Sequence, residues 1–336
     1  YFKSANRTLG TFIPDKNPDR SEIPATPNLA ELLKDYKGKA PMAQGEDFDP
    51  TPENLEKRTT RKSLPNGMKY ALLPKETRGD VVTVSISLNY GTLETAKGKS
   101  TIGDFTAAML DKGTESKNRE QLKEALDKLK ARANFFGGAN GTRVVIDTDR
   151  EHLPDVIRLV GEILRKPAFP QNEFDKMKQE QLAGIEETKT DPTALAYNTF
   201  SRISTPPYPK DDPRYTETFD EQLASIKAVT LDQVKTFYKD FYGASDGTAA
   251  IVGDFDVKAT ETALKEVFGD WKTPVRYQRY STDYKPVTPR TEEINTPDKA
   301  NAAYVAGYGF AMRSDDPEYA AVELGGYMLG GGFLNS

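Results

Sequence analysis

The chain has 336 residues, 46 of them basic and 51 acidic, with one histidine and no cysteine; at roughly 100–200 residues per domain this length suggests two domains, with room for a piece of a third. The lack of cysteine excludes disulfides, thiolate metal sites and a cysteine nucleophile, and His152 alone cannot make a two-histidine zinc centre. A net charge of −5 offers no footing for nucleic acid or an anionic membrane, and no stretch approaches the ~20 apolar residues of a bilayer span.

The opening Tyr1-Phe2-Lys3 has neither initiator methionine nor signal peptide and reads as a piece of a longer or processed polypeptide. Residues 1–60 read as the end of a preceding unit plus extended linker, because Pro14, Pro18, Pro24, Pro27, Pro41, Pro50 and Pro52 are interleaved with charges. A short helix is expected at Asn28–Tyr36, where Leu29, Leu32 and Leu33 share a face. The turn Leu64-Pro65-Asn66-Gly67 then leads into a strand, and Val82–Leu88 alternates strictly as a half-buried strand does. Leu122, Leu126 and Leu129 line a helix after Asn118. Arg132–Gly138 and Thr142–Thr148 form strands joined by hairpin chemistry.

Leu153, Val156, Ile157, Val160, Ile163 and Leu164 predict an amphipathic helix that stops near Pro167. Another helix runs from Phe174 to about Lys189, and Pro206–Pro209 is a surface loop. Helices at 220–228 and 230–242, a strand at Gly247–Val252 and a helix at 256–268 complete the unit. Strand hairpins alternating with helix pairs argue for an α+β fold, a mostly antiparallel sheet with helices packed on one face. Residues 61–268 make the first such domain, 269–292 a charged linker, and 293–336 the truncated start of a second, with strands at Ile294 and Ala302–Tyr308. Tyr1–Thr8 repeats the pattern of Phe241–Thr248, which is either a common turn recurring by chance or the mark of tandem homologous domains.

The segment Asn89-Tyr90-Gly91-Thr92-Leu93-Glu94, with Gly98–Thr114 after it, resembles the N-terminal part of a pitrilysin/insulinase-type zinc metallopeptidase, an inverzincin. Phe105-x-x-x-Met109-Leu110-x-Lys112-Gly113-Thr114, Pro167-Ala168-Phe169-Pro170, Asp220-Glu221-Gln222-Leu223 and Val252-Gly253-Asp254 carry the likeness through residues 61–268. The family's active helix bears His-x-x-Glu-His, two zinc-binding histidines on one helical face and a glutamate that activates the metal-bound water. Those positions here are Asp104, Ala107 and Ala108, a degenerate motif with no catalytic or metal-ligating set. Glu186 or Glu187 stands where a third ligand is expected and reads as a solvated helix residue.

Other candidates have plainer readings. His152 reads as an exposed helix start, and Glu186 with Glu187 point ~100° apart and form no dyad. Gly330–Gly332 reads as a helix C-cap rather than a phosphate loop, and Phe237, Tyr238, Phe241 and Tyr242 as core. Asp104 is expected either as a helix-surface carboxylate or as a polar relict facing a cavity.

The resemblance implies a clamshell of two half-shells, each of two homologous domains. This chain would be the non-catalytic C-terminal half of a fused bacterial protein, with no cofactor of its own. Zinc is then expected in a homologous partner half, in the same chain or a separate subunit, and an extended peptide as substrate. Export to the periplasm is implied by the same likeness. The alternative is a purely structural or assembly protein on this fold, with no part in proteolysis. An inverted zinc motif encoded upstream of residue 1 would separate the two.

Overall fold

The structure, a computed structural model, describes residues 10, 28–36, 44–282 and 284–328. The chain divides into two compact units, Tyr1–Met42 and Ala43–Ser336. In the first, the expected helix contracts to one turn, α1 (Leu29–Leu32), with Leu29, Leu32 and Leu33 exposed. So short a helix cannot offset its nucleation cost without an apolar partner.

In the second unit, order begins within the stretch expected as linker, with α2 (Pro52–Arg58) and β1 (Thr60–Ser63). Arg58 ties this stretch down. Its Nη1 donates to Glu46 Oε1 at 2.7 Å, its Nη2 to the Pro74 carbonyl at 2.9 Å, and it lies 5.0 Å from the Phe48 ring centre. These partners are distant in sequence, so no local periodicity announces them.

β2 (Lys69–Pro74) follows the predicted turn, where Gly67 takes φ +104°, a conformation that favours glycine. Asn66 Nδ2 donates to the carbonyls of Phe268 and Trp271, both at 2.8 Å, and so ties this turn to the domain's last helix. β3 (Val81–Asn89) keeps its alternation: Val82, Val84, Ile86 and Leu88 are buried, while Val81 and Thr83 face solvent. α3 (Leu93–Ala96) and α4 (Ser100–Met109) come next, then α5 (Arg119–Lys128), begun by a capping box between Asn118 and Gln121. β4 (Arg132–Gly138) and β5 (Gly141–Asp149) turn about Ala139-Asn140.

Then come α6 (Leu153–Arg165), α7 (Gln171–Thr188) and α8 (Pro192–Ser204), the last absent from the sequence expectation. α8 buries only Pro192, so its apolar stripe is weak. α9 (Phe219–Ala228), α10 (Leu231–Phe241), β6 (Thr248–Gly253) and α11 (Val257–Phe268) close the domain. Capping boxes at Thr218/Glu221 and Thr230/Gln233 set the starts of α9 and α10.

The sheet order is β1-β2-β6-β3-β5-β4. β6 returns between β2 and β3, parallel to β2, while the other neighbouring pairs are antiparallel. The sheet is therefore mixed, with one parallel pair that the linear element order does not reveal. One face joins Val156, Val160, Val234 and Leu264 of the helices in a single apolar cluster. The opposite face carries polar cross-strand contacts, Thr83 to Asp147 at 2.9 Å and Arg143 to Ser85 at 3.0 Å. Helices on one face of an α+β sheet is what the alternation predicted.

Residues 269–282, expected as linker, lie back on this domain. Ala244 N–H donates to the Trp271 carbonyl, Gly91 N–H to that of Val275, and Gln278 N–H to that of Gly91. The strands expected at Ile294 and Ala302–Tyr308 do not form among the described residues. Tyr304 and Tyr308 are 90% and 84% exposed, and α12 (Tyr319–Gly326) buries none of its residues. An extended segment without a neighbouring strand has no ladder to enter. The Tyr1–Thr8 echo and Gly330–Gly332 lie outside the described residues.

Candidate functional site

α4 meets β4 through close backbone approach. A Cβ on Gly103 would stand 2.4 Å from the Gly138 carbonyl carbon, and one on Gly137 would stand 2.6 Å from Ala107 Cβ. This seam fixes the helix against the strand and decides where the three motif positions point. Ala107 turns into it and is 1% exposed. Ala108 is half-buried against the core. Asp104 alone opens outward.

It does so into a cleft of about 390 Å³, walled by Ser100, Asn89, the β4–β5 turn and two tyrosines, Tyr277 and Tyr280. Among the described residues none donates a hydrogen bond to the Asp104 carboxylate. The Asp104 side chain is exposed on the open side of the cleft while neighbouring atoms crowd its base. Burial first, and the charge of Glu217 second, push its pKa from 3.8 up to about 6. Behind the turn, the Tyr90 hydroxyl lies 2.9 Å from Thr142 Oγ1 and 3.3 Å from the Gly138 carbonyl, and Thr142 donates to the Tyr242 hydroxyl at 2.7 Å. Burial drives Tyr90 up to about 12 and Tyr242 well above its ordinary value, so both stay neutral beneath the cleft.

The raised acid has a sign that can be checked. A carboxyl whose folded pKa lies above its unfolded value contributes stability below 3.8 and loses it as pH rises through about 6. Asp104→Asn should therefore raise the urea midpoint at pH 8 and leave it nearly unchanged at about pH 3.5, by under ~1 kcal/mol given solvent screening. A larger gain at the acid end would contradict the assigned environment.

Residues 70–205 match the family model described as Insulinase (Peptidase family M16), and residues 228–336 that described as Peptidase M16 inactive domain. The chain belongs to the insulinase peptidase family. Its fold is similar to the peptidase M16 inactive domain from Pseudomonas fluorescens, with TM-score 0.60 and 20% identity over 83% of this chain and 66% of that one. The periplasmic protease PqqL from Escherichia coli gives TM-score 0.53 at 18% identity, over 68% of this chain and 26% of that one. Ubiquinol-cytochrome-c reductase complex core protein I, mitochondrial, of Euglena gracilis is 22% identical over 121 residues, 36% of this chain and 24% of that protein. The chain thus spans just under two thirds of the first relative and about a quarter of the other two.

For an insulinase-family helix, the donor set here does not fit zinc. It offers one carboxylate and two methyl groups, one of them packed against Gly137, where a zinc site needs three or four donor atoms. Glu186 is exposed and paired with Lys189 at 2.8 Å, and Glu187 is exposed as well. Metal analysis of the dialysed chain should return far less than one zinc per chain; one tightly held zinc would overturn this reading.

His152 departs from expectation. It is half-buried, with Nδ1 2.5 Å from Asp149 Oδ1. Asp149, Glu151 and His152 bring ligand atoms within 4.8 Å of one another. Asp149, however, also accepts from the His152 backbone N–H at 3.1 Å and from Lys130 at 3.2 Å. Burial works to raise the Asp149 pKa, and these bonds hold it below the usual value. The cluster serves the start of α6.

The aromatic run is core: Phe237 stacks on Phe241 with ring centres 4.5 Å apart, and both lie against Tyr90. β4 is a sheet edge whose backbone ladder runs to β5 alone among the described residues, with Phe136 59% exposed on it. Its Gly138 end borders the Asp104 cleft. Sequence reasoning missed Tyr277 and Tyr280, which sit in a stretch without periodicity. No helix of the described residues is long and apolar enough to cross a membrane.

Proposed function

We propose that this chain is the non-catalytic half of a two-half insulinase-family peptidase. It forms one wall of the substrate chamber and holds peptide for a zinc-bearing homologous half. One observation carries the reading: α4, which the sequence resemblance aligns with the zinc-bearing helix of active relatives, packs closely on β4 while carrying Asp104, Ala107 and Ala108 at the motif positions. A scaffold preserved around a lost site is one kept for its surface. The open β4 edge supports strand addition by an extended peptide, whose main-chain groups would pair with those the sheet leaves free. Closure of the halves would exclude water around the partner's zinc. Periplasmic residence is part of the proposal and draws on the likeness to PqqL.

The test is reconstitution. The zinc-bearing half by itself should hydrolyse peptide at least about tenfold more slowly than the joined halves, because a substrate held out of line loses rate steeply. Adding the non-catalytic half should restore the rate. A full rate from the zinc-bearing half alone would favour the second reading, a structural or assembly protein with no role in proteolysis. The similarity to the mitochondrial core protein I speaks for that alternative.

A further inference from the structure

The cleft at the Gly138 end of β4 has a one-sided chemistry. Among the described residues no donor reaches the Asp104 carboxylate, and the carboxylate of Glu217, the charge that acts on Asp104, accepts from the neutral Ser225 hydroxyl at 2.7 Å and from no cation. Among the described residues no lysine or arginine lines the cleft. The cations around it are committed elsewhere. Arg214 makes two bonds to Asp212, at 2.9 and 2.7 Å, and a third to the Ser281 carbonyl. Arg276 is bidentate on Asp246, and Lys99 donates to the Thr95 carbonyl. Asn89 spends its Nδ2 on the Asp246 carbonyl, which leaves its carbonyl oxygen as an acceptor. Tyr277 and Tyr280 add two aromatic residues to the wall. The cleft therefore brings an unpaired carboxylate, an amide acceptor and two aromatic residues together with no cation among its described lining, an arrangement that attracts an incoming cation.

The geometry points to this cleft as a subsite for a positively charged side chain, arginine or lysine, of a peptide laid along the β4 edge. This rests on the peptide-holding reading above. A metal ion fits less well, since a single free carboxylate is a poor donor set for a hard cation. Arginine suits the site best: its planar guanidinium can bond the Asp104 carboxylate in two places while lying against a tyrosine ring. About 390 Å³ is ample for one such side chain and its stem. The subsite gives the degenerate helix a use. Where relatives place a metal ligand, this chain places an acid that reads the charge of the peptide.

The test uses the full chain and two fluorescent peptides, both blocked at their ends and of Ser, Thr and Val residues. They differ at one central residue, arginine in one and its neutral isostere citrulline in the other. The arginine peptide should bind about tenfold or more tightly, as a charge-assisted bond allows. The preference should vanish in Asp104→Asn while citrulline-peptide binding stays the same. Equal binding of both peptides by the unaltered chain overturns the subsite and leaves strand addition standing.

Ethylguanidinium and ethylurea, followed by the NMR shift of the Asp104 carboxyl carbon, separate the remaining cases. If neither peptide binds but ethylguanidinium alone moves that signal, the cation site stands and the peptide-holding reading fails. If neither peptide binds and neither small molecule moves it, both are overturned.

Discussion

The double substitution Asp104→His with Ala108→His should give zinc binding that is weak at most, and peptide hydrolysis ~10²–10⁴-fold or more below an intact enzyme of the family. Position 104 opens to the cleft and accepts a larger ring. Position 108 is half-buried against the core, so an imidazole there must displace core neighbours or turn away from them. The missing base is the harder obstacle. Ala107 is 1% exposed and its methyl group sits at the Gly137 seam, so Ala107→Glu would force a longer, charged side chain into a closely packed interior, at a cost of several kcal/mol. Outer groups that orient ligand histidines are needed too, and their loss alone typically costs ~10–100-fold. Hydrolysis near that of an intact enzyme in the double variant, read with a quenched fluorescent peptide, would show that far more of the site survives.

Gly103→Ala should destabilise the fold by ~1–3 kcal/mol or more, read as a lower urea midpoint at unchanged slope. The sign is the informative part. In an ordinary helix interior this change stabilises, since alanine is favoured over glycine by up to ~1 kcal/mol. Here the new methyl would stand 2.4, 2.6 and 2.7 Å from backbone atoms of Gly138 and Ala139, which cannot rotate away. The steric cost outweighs the propensity gain. Gly137→Ala meets Ala107 Cβ at 2.6 Å and Thr142 Oγ1 at 2.7 Å and should cost a similar amount. Both act by prising α4 from β4, so the pair should cost less than the sum, because a seam already opened has room for the second methyl. A neutral or stabilising Gly103→Ala would remove the seam from the account of why Ala107 is inward.

Where chemistry and local period coincide, the amino-acid pattern alone was sufficient. Val82, Val84, Ile86 and Leu88 alternate because a strand has a repeat of two, and all four are buried. Leu153 to Leu164 repeat at helical spacing and are buried for the same reason. Asn118 with Gln121 starts α5 through bonds between residues three apart. That Ala107 offers no base and Ala108 no ligand needs no fold to be read, since a methyl group has no donor or acceptor atom.

Tertiary structure decided what depends on residues far apart in the chain. The parallel pairing of β2 with β6 joins segments separated by three strands and the helices α3 to α10, and nothing in either strand encodes its neighbour's direction. Residues 44–60 and 269–282 read as linkers because they lack a period; long-range partners such as Pro74 for Arg58 and Gly91 for Gln278 give them fixed places. The same holds for the cleft. Asp104 is an ordinary helix carboxylate by spacing, and two tyrosines from beyond the domain's last helix, with a turn pressed close by glycines, make it the floor of a charged site. Its role lies in what surrounds it, and only folding brings those groups together.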